Sequence, residues 1–388
     1  MSERGPNPAG SRKRPIKPLA LDVRVPAQPL DYSVLIGRGV IERVGEEIRQ
    51  RHGGAATVAL VSDSNVAPLH GAAVRAALER SGLQVAPMTV PAGEASKSAA
   101  ALLELTEQLL RAGIGRRDVV VALGGGVIGD LAGLAAALYM RGIPVVQCPT
   151  SLLAQVDASV GGKVAIDLPG AKNLLGVFHF PSVVLVDPDL LATLPEREFC
   201  AGLAEMLKHG ALFSPEHFRE VVEAADAIHA RDFDTIARLL ATSVGLKAAC
   251  VGRDPWEQAE AGKGRVLLNL GHTLGHAIEV ASSYQLVHGE AVALGMRAAA
   301  RVAIGRGLAA PELEATIVAA LARLRLPTDL DVWLTGDLGD AVERLLAHDK
   351  KRSGGQVSYV VIARLGEPSV ISLHFRELMA LARQGTTA

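Results

Sequence analysis

The 388-residue sequence predicts an α/β domain with a mainly parallel sheet, followed by a mostly α-helical domain. Three observations carry this. Short apolar runs without polar alternation recur between residues 57 and 187, as in parallel strands covered on both faces. Ala/Leu-rich stretches with helical spacing separate those runs. After Pro195 the strand signal nearly disappears until Gln356.

The expected strands are Thr57–Ser62, Val85–Val90, Val119–Leu123, Ile143–Cys148 and Val183–Val186, with Leu21–Val25 and Ser33–Ile36 as a possible entry pair. Helices are expected at Pro68–Arg80, Ser98–Arg111 and Leu131–Tyr139. In the second half they are expected at Ala201–Leu212, His217–Ala230, Phe233–Val251, Gly271–Ser282, Gly289–Gly305 and Pro311–Leu324, before a strand at Gln356–Ala363. The boundary is placed between Asp187 and Arg197, giving a basic tail (1–20), an α/β domain (21–190) and a helical domain (191–388). The apolar stretch Val119–Met140 is interrupted by Gly124-Gly125-Gly126, Gly129 and Asp130, so it reads as strand, turn and helix start rather than as a membrane span.

Composition narrows the function. The 40 Lys and Arg nearly balance 41 Asp and Glu, which argues against a polyanionic partner such as nucleic acid. Aromatics make up only 3%, too few for a base-stacking platform. Cys148, Cys200 and Cys250 are odd in number and far apart, which suggests buried thiols in a reducing compartment. The first twenty residues are basic, rich in Pro, Gly and Ser, and have no apolar stretch of a secretory signal, so a cytoplasmic location is expected.

Gly124–Asp130 fits G-x-G-x-x-G after a strand, either as a cradle for a pyrophosphate at a helix N-terminus or as a tight structural turn. Asp63, at the end of the first strong strand, is a candidate for a ribose hydroxyl. Asp157, Gly161-Gly162-Lys163 and Lys172-Asn173 form a polar group suited to a phosphate or a polyhydroxylated anion, or else a solvated loop. His272 and His276 share a helical face at i and i+4, with His288 close behind, a spacing that can hold a metal. Glu205 and Lys208 share another face among apolar neighbours, where a buried carboxylate needs a cation. Lys247, Arg265, Asn269 and Lys350-Lys351 add polar groups near expected helix ends.

Taken in order, these segments resemble 3-dehydroquinate synthase. The likeness runs from about residue 57 to 365. It is carried by Gly93-Glu94-Ala95-Ser96-Lys97, Gly124–Asp130, Tyr139-Met140-Arg141-Gly142, Pro149–Asp157 and Gly161-Gly162-Lys163. It continues through Gly202-Leu203-Ala204-Glu205, Leu268–Thr273, His288-Gly289-Glu290 and Asp349-Lys350-Lys351. The resemblance implies a Rossmann-like sheet holding NAD and a helical domain holding a divalent metal, zinc or cobalt, on Glu205, His272 and His288. His276 then becomes a substrate contact rather than a ligand. NAD contacts are implied for Asp63, Asn65, Glu94, Lys97, Gly125, Gly126, Val127, Asp130, Thr150, Ser151, Lys163, Lys172, Leu190 and Thr193. Substrate contacts are implied for Asp157, Lys163, Asn173, Lys208, Lys247, Arg265, Asn269, His276 and one of Lys350 or Lys351. Arg141 is implied to reach the phosphate in a neighbouring subunit, hence a homodimer.

The implied reaction takes 3-deoxy-D-arabino-heptulosonate 7-phosphate to 3-dehydroquinate and phosphate. It passes through transient oxidation, β-elimination, return of the hydride and aldol closure. The alternatives are a sedoheptulose 7-phosphate cyclase of secondary metabolism, a metal-dependent polyol dehydrogenase, and a non-catalytic nucleotide-binding module. The sequence departs from the family pattern at Pro169-Gly170-Ala171, at Ser151 and over Asp254–Gly264.

Overall fold

Among the described residues, eight strands precede residue 187: β1 (Ser33–Ile36), β2 (Thr57–Asp63), β3 (Gln84–Val90), β4 (Val119–Gly124), β5 (Val145–Pro149), β6 (Lys163–Leu168), β7 (Ala171–Phe178) and β8 (Val183–Val186). Six of them pair in the order β1-β8-β5-β4-β2-β3, every pairing parallel. This computed structural model describes residues 31–169, 171–260, 262–283, 285–349 and 354–384. The expected tail, the expected strand Leu21–Val25 and the candidates Lys350 and Lys351 lie outside the described residues.

The unalternating apolar runs have a simple cause: both faces of the sheet are covered. Val58, Leu60, Val119, Val121 and Leu123 pack with Val44 and Ile48 of α1 (Val44–Arg51) and Val74 and Leu78 of α2 (Ala72–Arg80). The intervening Ala59, Val61, Val120 and Ala122 pack with Leu102, Leu105 and Leu109 of α3 (Ala99–Arg111) and Ile128, Leu131 and Leu134 of α4 (Gly126–Leu138). Strand periodicity sends alternate residues to opposite layers, and each layer is apolar. Ser98 caps α3, accepting from the Ala101 amide at 3.3 Å. Helix α4 begins at the glycine run itself, five residues before the expected start, with Gly125 extended at its N-cap.

The polar segment read as a possible loop is an antiparallel hairpin, β6–β7, with Val164 and Ile166 packed under α4. Its second strand leaves Leu174, Leu175 and Val177 exposed, so the hairpin lacks the clean alternation that announces a strand.

Beyond β8 the chain is helical: α5 (Glu196–Phe213), α6 (Pro215–Glu223), α7 (Ala225–His229), α8 (Phe233–Arg253), α9 (His272–Ala281), α10 (His288–Gly305), α11 (Glu312–Arg323), α12 (Asp331–Leu334) and α13 (Gly336–Asp349). A hairpin of β9 (Gln356–Ile362) and β10 (Pro368–His374) and a final α14 (Phe375–Arg383) follow. The single helix expected at His217–Ala230 is two, because Ala224 leaves helical geometry at φ −79, ψ 3. One apolar core joins this half to the sheet: Val184, Val186, Leu152 and Val156 pack with Phe199, Leu203, Leu274, Ile278 and Leu294.

Glycines let α5, α9 and α10 approach closely. A Cβ on Gly295 would lie 1.8 Å from the Gly271 carbonyl oxygen, and one on Gly289 would lie 1.9 Å from that of Ala201. Arg197 at the start of α5 makes a two-pronged ion pair with Glu290 in the first turn of α10, at 2.8 and 2.6 Å. Gly295→Ala is therefore expected to destabilise the fold by about 1–3 kcal/mol or more, since backbone must move. Gly245→Ala, on the open face of α8 with nothing within 4 Å, is expected to stabilise it by about 0.5–1 kcal/mol. Urea unfolding of the two variants checks the contrast.

Candidate functional site

Loops at the carboxyl ends of the parallel strands collect most of the polar residues in the first half. From β2 the chain steps outward to β3, then returns past β2 to β4 and continues to β5 on the other side. The crevice between β2 and β4 is therefore the topological switch point, where open α/β sheets bind ligands. A cavity of about 1140 Å³ opens there and runs to the helices α5, α9 and α10.

At the switch point Asp63 accepts from the Asn65 and Val66 amides at 2.8 and 3.0 Å, closing the turn after β2. The glycine run divides its work. Gly124 and Gly129 are packing positions, since a Cβ would fall 2.6 Å from Ile128 and 2.9 Å from Gln147. Gly125 and Gly126 line the cavity, where α4 presents the unpaired amides of its first turn. Lys97, almost fully buried, bonds Asp130 at 2.8 Å and also contacts Asn173 of β7. Burial pushes the Asp130 carboxyl up to about 6, with Lys97 only partly offsetting it.

Further along the wall, three cations are buried on the cavity: Lys208 of α5, Lys247 of α8 and Arg265. Lys247 Nζ lies 2.7 Å from Asp157 Oδ1, and His209 Nε2 reaches the same oxygen at 3.3 Å while its Nδ1 meets Ser243 Oγ at 2.9 Å. Burial raises the Asp157 pKa, but Lys247, Lys208 and His209 outweigh it and hold the carboxylate well below its usual range. Burial depresses Lys247 in spite of Asp157. Arg265 donates to the carbonyls of Gly161 and Pro255 at 2.8 and 3.0 Å, which fixes its guanidinium against the Gly161-Gly162 turn. Lys163 pairs with Glu257, and Asn269 lines the same wall.

The close contact of α5, α9 and α10 produces a third feature. Glu205, fully buried on α5, faces His272 and His288, each the first residue of its helix. Glu205 Oε1 lies 3.6 Å from His272 Nε2 and 3.5 Å from His288 Nε2, and has no hydrogen-bond partner. Those separations are too long for hydrogen bonds and match ligands about 2 Å from a shared ion. Its other oxygen pairs with Lys208. Burial works against the charge on Glu205, but Lys208, His272 and His288 keep its pKa far below normal. His276 stacks edge-on against His272, ring centroids 5.2 Å apart, and burial lowers it to about 4. Its ring nitrogens come close enough to those of His272 and His288 to share an ion, so both readings of His276 stay geometrically open.

The cavity gathers Asp63, Asn65, Glu94, Lys97, Gly125, Gly126, Val127, Asp130, Thr150, Ser151, Lys172, Asn173 and Thr193 with Asp157, Lys163, Lys208, Lys247, Arg265, Asn269, His272, His276 and His288, and Glu205 lies directly behind its wall. Two expected residues stand apart. Leu190 is buried and does not line the cavity, and Arg141 is exposed on the turn after α4, outside this chain's cavity. Sequence reasoning missed His209 and Glu279. Glu279 lies seven residues after His272 and three after His276, so helical period alone would have put it on the histidine face. A separate cluster of Glu196, Cys200 and His229 has its carboxylate already neutralised by Arg231 and Arg325 at 3.0 and 3.1 Å.

Asp130 generates a pH prediction. With its folded pKa raised from 3.8 to about 6, the folded protein binds more protons than the unfolded one between those values, so this group's contribution falls as pH rises through them. The stability of Asp130→Asn relative to the parent is expected to rise between about pH 4 and 7, which urea midpoints at both pH values check.

Two family models, described as 3-dehydroquinate synthase N-terminal and 3-dehydroquinate synthase C-terminal, match residues 87–201 and 202–352. The 3-dehydroquinate synthase of Symbiobacterium thermophilum is 45% identical over 337 residues, covering 87% of this chain and 92% of that protein. Among solved structures, 2-epi-5-epi-valiolone synthase from Streptomyces hygroscopicus subsp. jinggangensis, with NAD+ and Zn2+ bound, superposes with a TM-score of 0.80 at 27% identity, covering 92% of this chain and 98% of that one. A 2-deoxy-scyllo-inosose synthase complexed with carbaglucose-6-phosphate, NAD+ and Co2+ gives 0.79 at 25%, covering 91% and 96%. Matched by both family models and 45% identical to one such synthase along most of its length, the chain belongs to the 3-dehydroquinate synthase family.

Proposed function

We infer that this chain is a carbon–oxygen lyase that converts 3-deoxy-D-arabino-heptulosonate 7-phosphate to 3-dehydroquinate and phosphate, using NAD and a divalent metal, zinc or cobalt. The observation that carries the reading is one continuous cavity. It joins the glycine turn of the sheet, the buried cations Lys208, Lys247 and Arg265, and the Glu205–His272–His288 cluster.

Both cofactors fit what the chain offers. The bare Gly125-Gly126 backbone at the start of α4 suits a pyrophosphate, and Asp63, Asn65, Glu94, Lys97, Val127, Asp130, Thr150, Ser151, Lys172 and Thr193 would surround the nucleotide. The buried, unbonded Glu205 oxygen between two imidazoles suits a divalent cation, with His276 left to meet substrate. NAD+ would supply reversible hydride transfer. The metal would supply Lewis-acid polarisation of a substrate oxygen.

The chain's own residues do the rest. Lys208 and Lys247 are already paired with Glu205 and Asp157, while Arg265 bonds backbone carbonyls, so the wall keeps buried positive charge for a phosphate or a carboxylate. Asp157, held by His209, fixes Lys247 within the cavity. Lys163, Asn173 and Asn269 add polar contacts from the hairpin and from the turn before α9. Buried charge already oriented towards the substrate stabilises charge that develops during elimination without reorganising at that moment. The same reading assigns residues 21–190 to the nucleotide and 191–388 to metal and substrate, and places the enzyme in the cytoplasm as a homodimer. Arg141, outside its own cavity, would then serve the phosphate of the neighbouring subunit, as would one of Lys350 or Lys351 within its own.

Purified protein with NAD+ and Zn2+ or Co2+ is expected to release phosphate from the heptulosonate phosphate. Turnover of sedoheptulose 7-phosphate in its place, or net NADH formation from glycerol, would overturn the assignment. His272→Ala is expected to lose metal-dependent activity while keeping the parent circular dichroism spectrum; undiminished activity would remove His272 from the ligand set.

A further inference from the structure

Glu279 belongs to neither cofactor's expected contacts, yet it touches the surroundings of both. It sits on α9, one of few acidic side chains that are nearly fully buried. One oxygen, Oε1, accepts from Lys172 Nζ of β7 at 2.9 Å. The other, Oε2, lies 3.5 Å from His288 Nδ1 and has no hydrogen-bond partner. The opposite nitrogen of the same ring, Nε2, is the one that faces Glu205. His288 thus lies between two carboxylates, one 3.5 Å from each nitrogen.

A histidine that ligates through Nε2 needs its Nδ1 proton taken up by an acceptor, which fixes both the tautomer and the ring plane. Nothing else described on the Nδ1 side of His288 offers a charged acceptor. Burying a carboxylate is costly without a partner, and here Lys172 supplies the compensating cation from a different part of the fold. Lys172 also lies 3.7 Å from Glu94, which lies 3.9 Å from Lys97, the partner of Asp130. An alternating row of charges therefore runs along the cavity wall from Asp130 of α4 to Glu205, and Glu279 is the link between its nucleotide-facing and imidazole-facing ends.

We propose that Glu279 is a positioning residue for the metal site: it holds the His288 ring by Nδ1 so that Nε2 stays aimed at the position shared with Glu205 and His272, and it is itself held by Lys172 of the β6–β7 hairpin. This rests on the metal reading given above. It assigns Glu279 no contact with substrate and no place among the ligands.

The test is metal affinity rather than turnover. Glu279→Gln preserves shape and a single acceptor but cannot serve Lys172 and His288 as a carboxylate does. Competition with a chelator for Co2+, without nucleotide or substrate, is expected to show affinity weakened by about 10–100-fold. The thermal midpoint of the metal-free protein should stay within a few degrees of the parent, and turnover should recover at saturating metal. Affinity within twofold of the parent overturns the proposal, as does a loss matched by an equal collapse of the metal-free fold. His272→Ala, measured alongside, separates the two claims. If it too binds Co2+ as the parent does, the metal reading fails and takes this inference with it. If it loses Co2+ while Glu279→Gln keeps it, only the role of Glu279 falls.

Discussion

A carboxylate with no exposed surface governs the second half of this protein. Glu205 is deep among apolar side chains of α5, where an isolated charge would be prohibitive. Every neighbour that makes it tolerable must be brought to it: Lys208 one turn along its own helix, and His272 and His288 from the first residues of two others. Those two helices can only reach Glu205 because Gly271, Gly275, Gly289 and Gly295 remove the side chains that would hold them apart. The helix packing and the charge cluster are thus one constraint seen from two sides. Loosening the backbone contacts strands the carboxylate, and neutralising the carboxylate removes the reason for so close a crossing.

In the sheet half the governing fact is simpler. Strands covered on both faces leave only their ends available, so the polar residues concentrate in the loops after β2, β4 and β5. The hairpin β6–β7 extends this edge towards the helices and carries Lys163, Lys172 and Asn173 with it. Lys172 then faces Glu279 of α9, and Lys97 faces Asn173, so polar contacts tie the hairpin to both ends of the cavity.

Much of this was legible in the amino-acid sequence because local patterns carried it. The parallel strands showed as unbroken apolar runs, and the long helices α8, α9 and α10 showed as apolar periods, with ends within two or three residues of those expected. The histidine cluster was legible through its i, i+4 spacing, and Glu205 through the oddity of a charge in an apolar face. The β6–β7 hairpin was not, since its pairing leaves Leu174, Leu175 and Val177 facing outward and buries no regular stripe. The split at Ala224 turns on a single backbone torsion that no composition signals. His209 looked like one more residue of an apolar helix. Only folding shows that it bridges Ser243 and Asp157, which lie on different elements. Contacts between distant segments are decided by tertiary packing, and a linear pattern does not record them.

The two carboxylates around His288 bear on the charge of its ring. Burial alone would favour a neutral ring, but Glu205 and Glu279 raise its pKa to about 9. A proton on that ring gives both buried carboxylates a common counter-charge, so one histidine compensates acids that belong to two different helices.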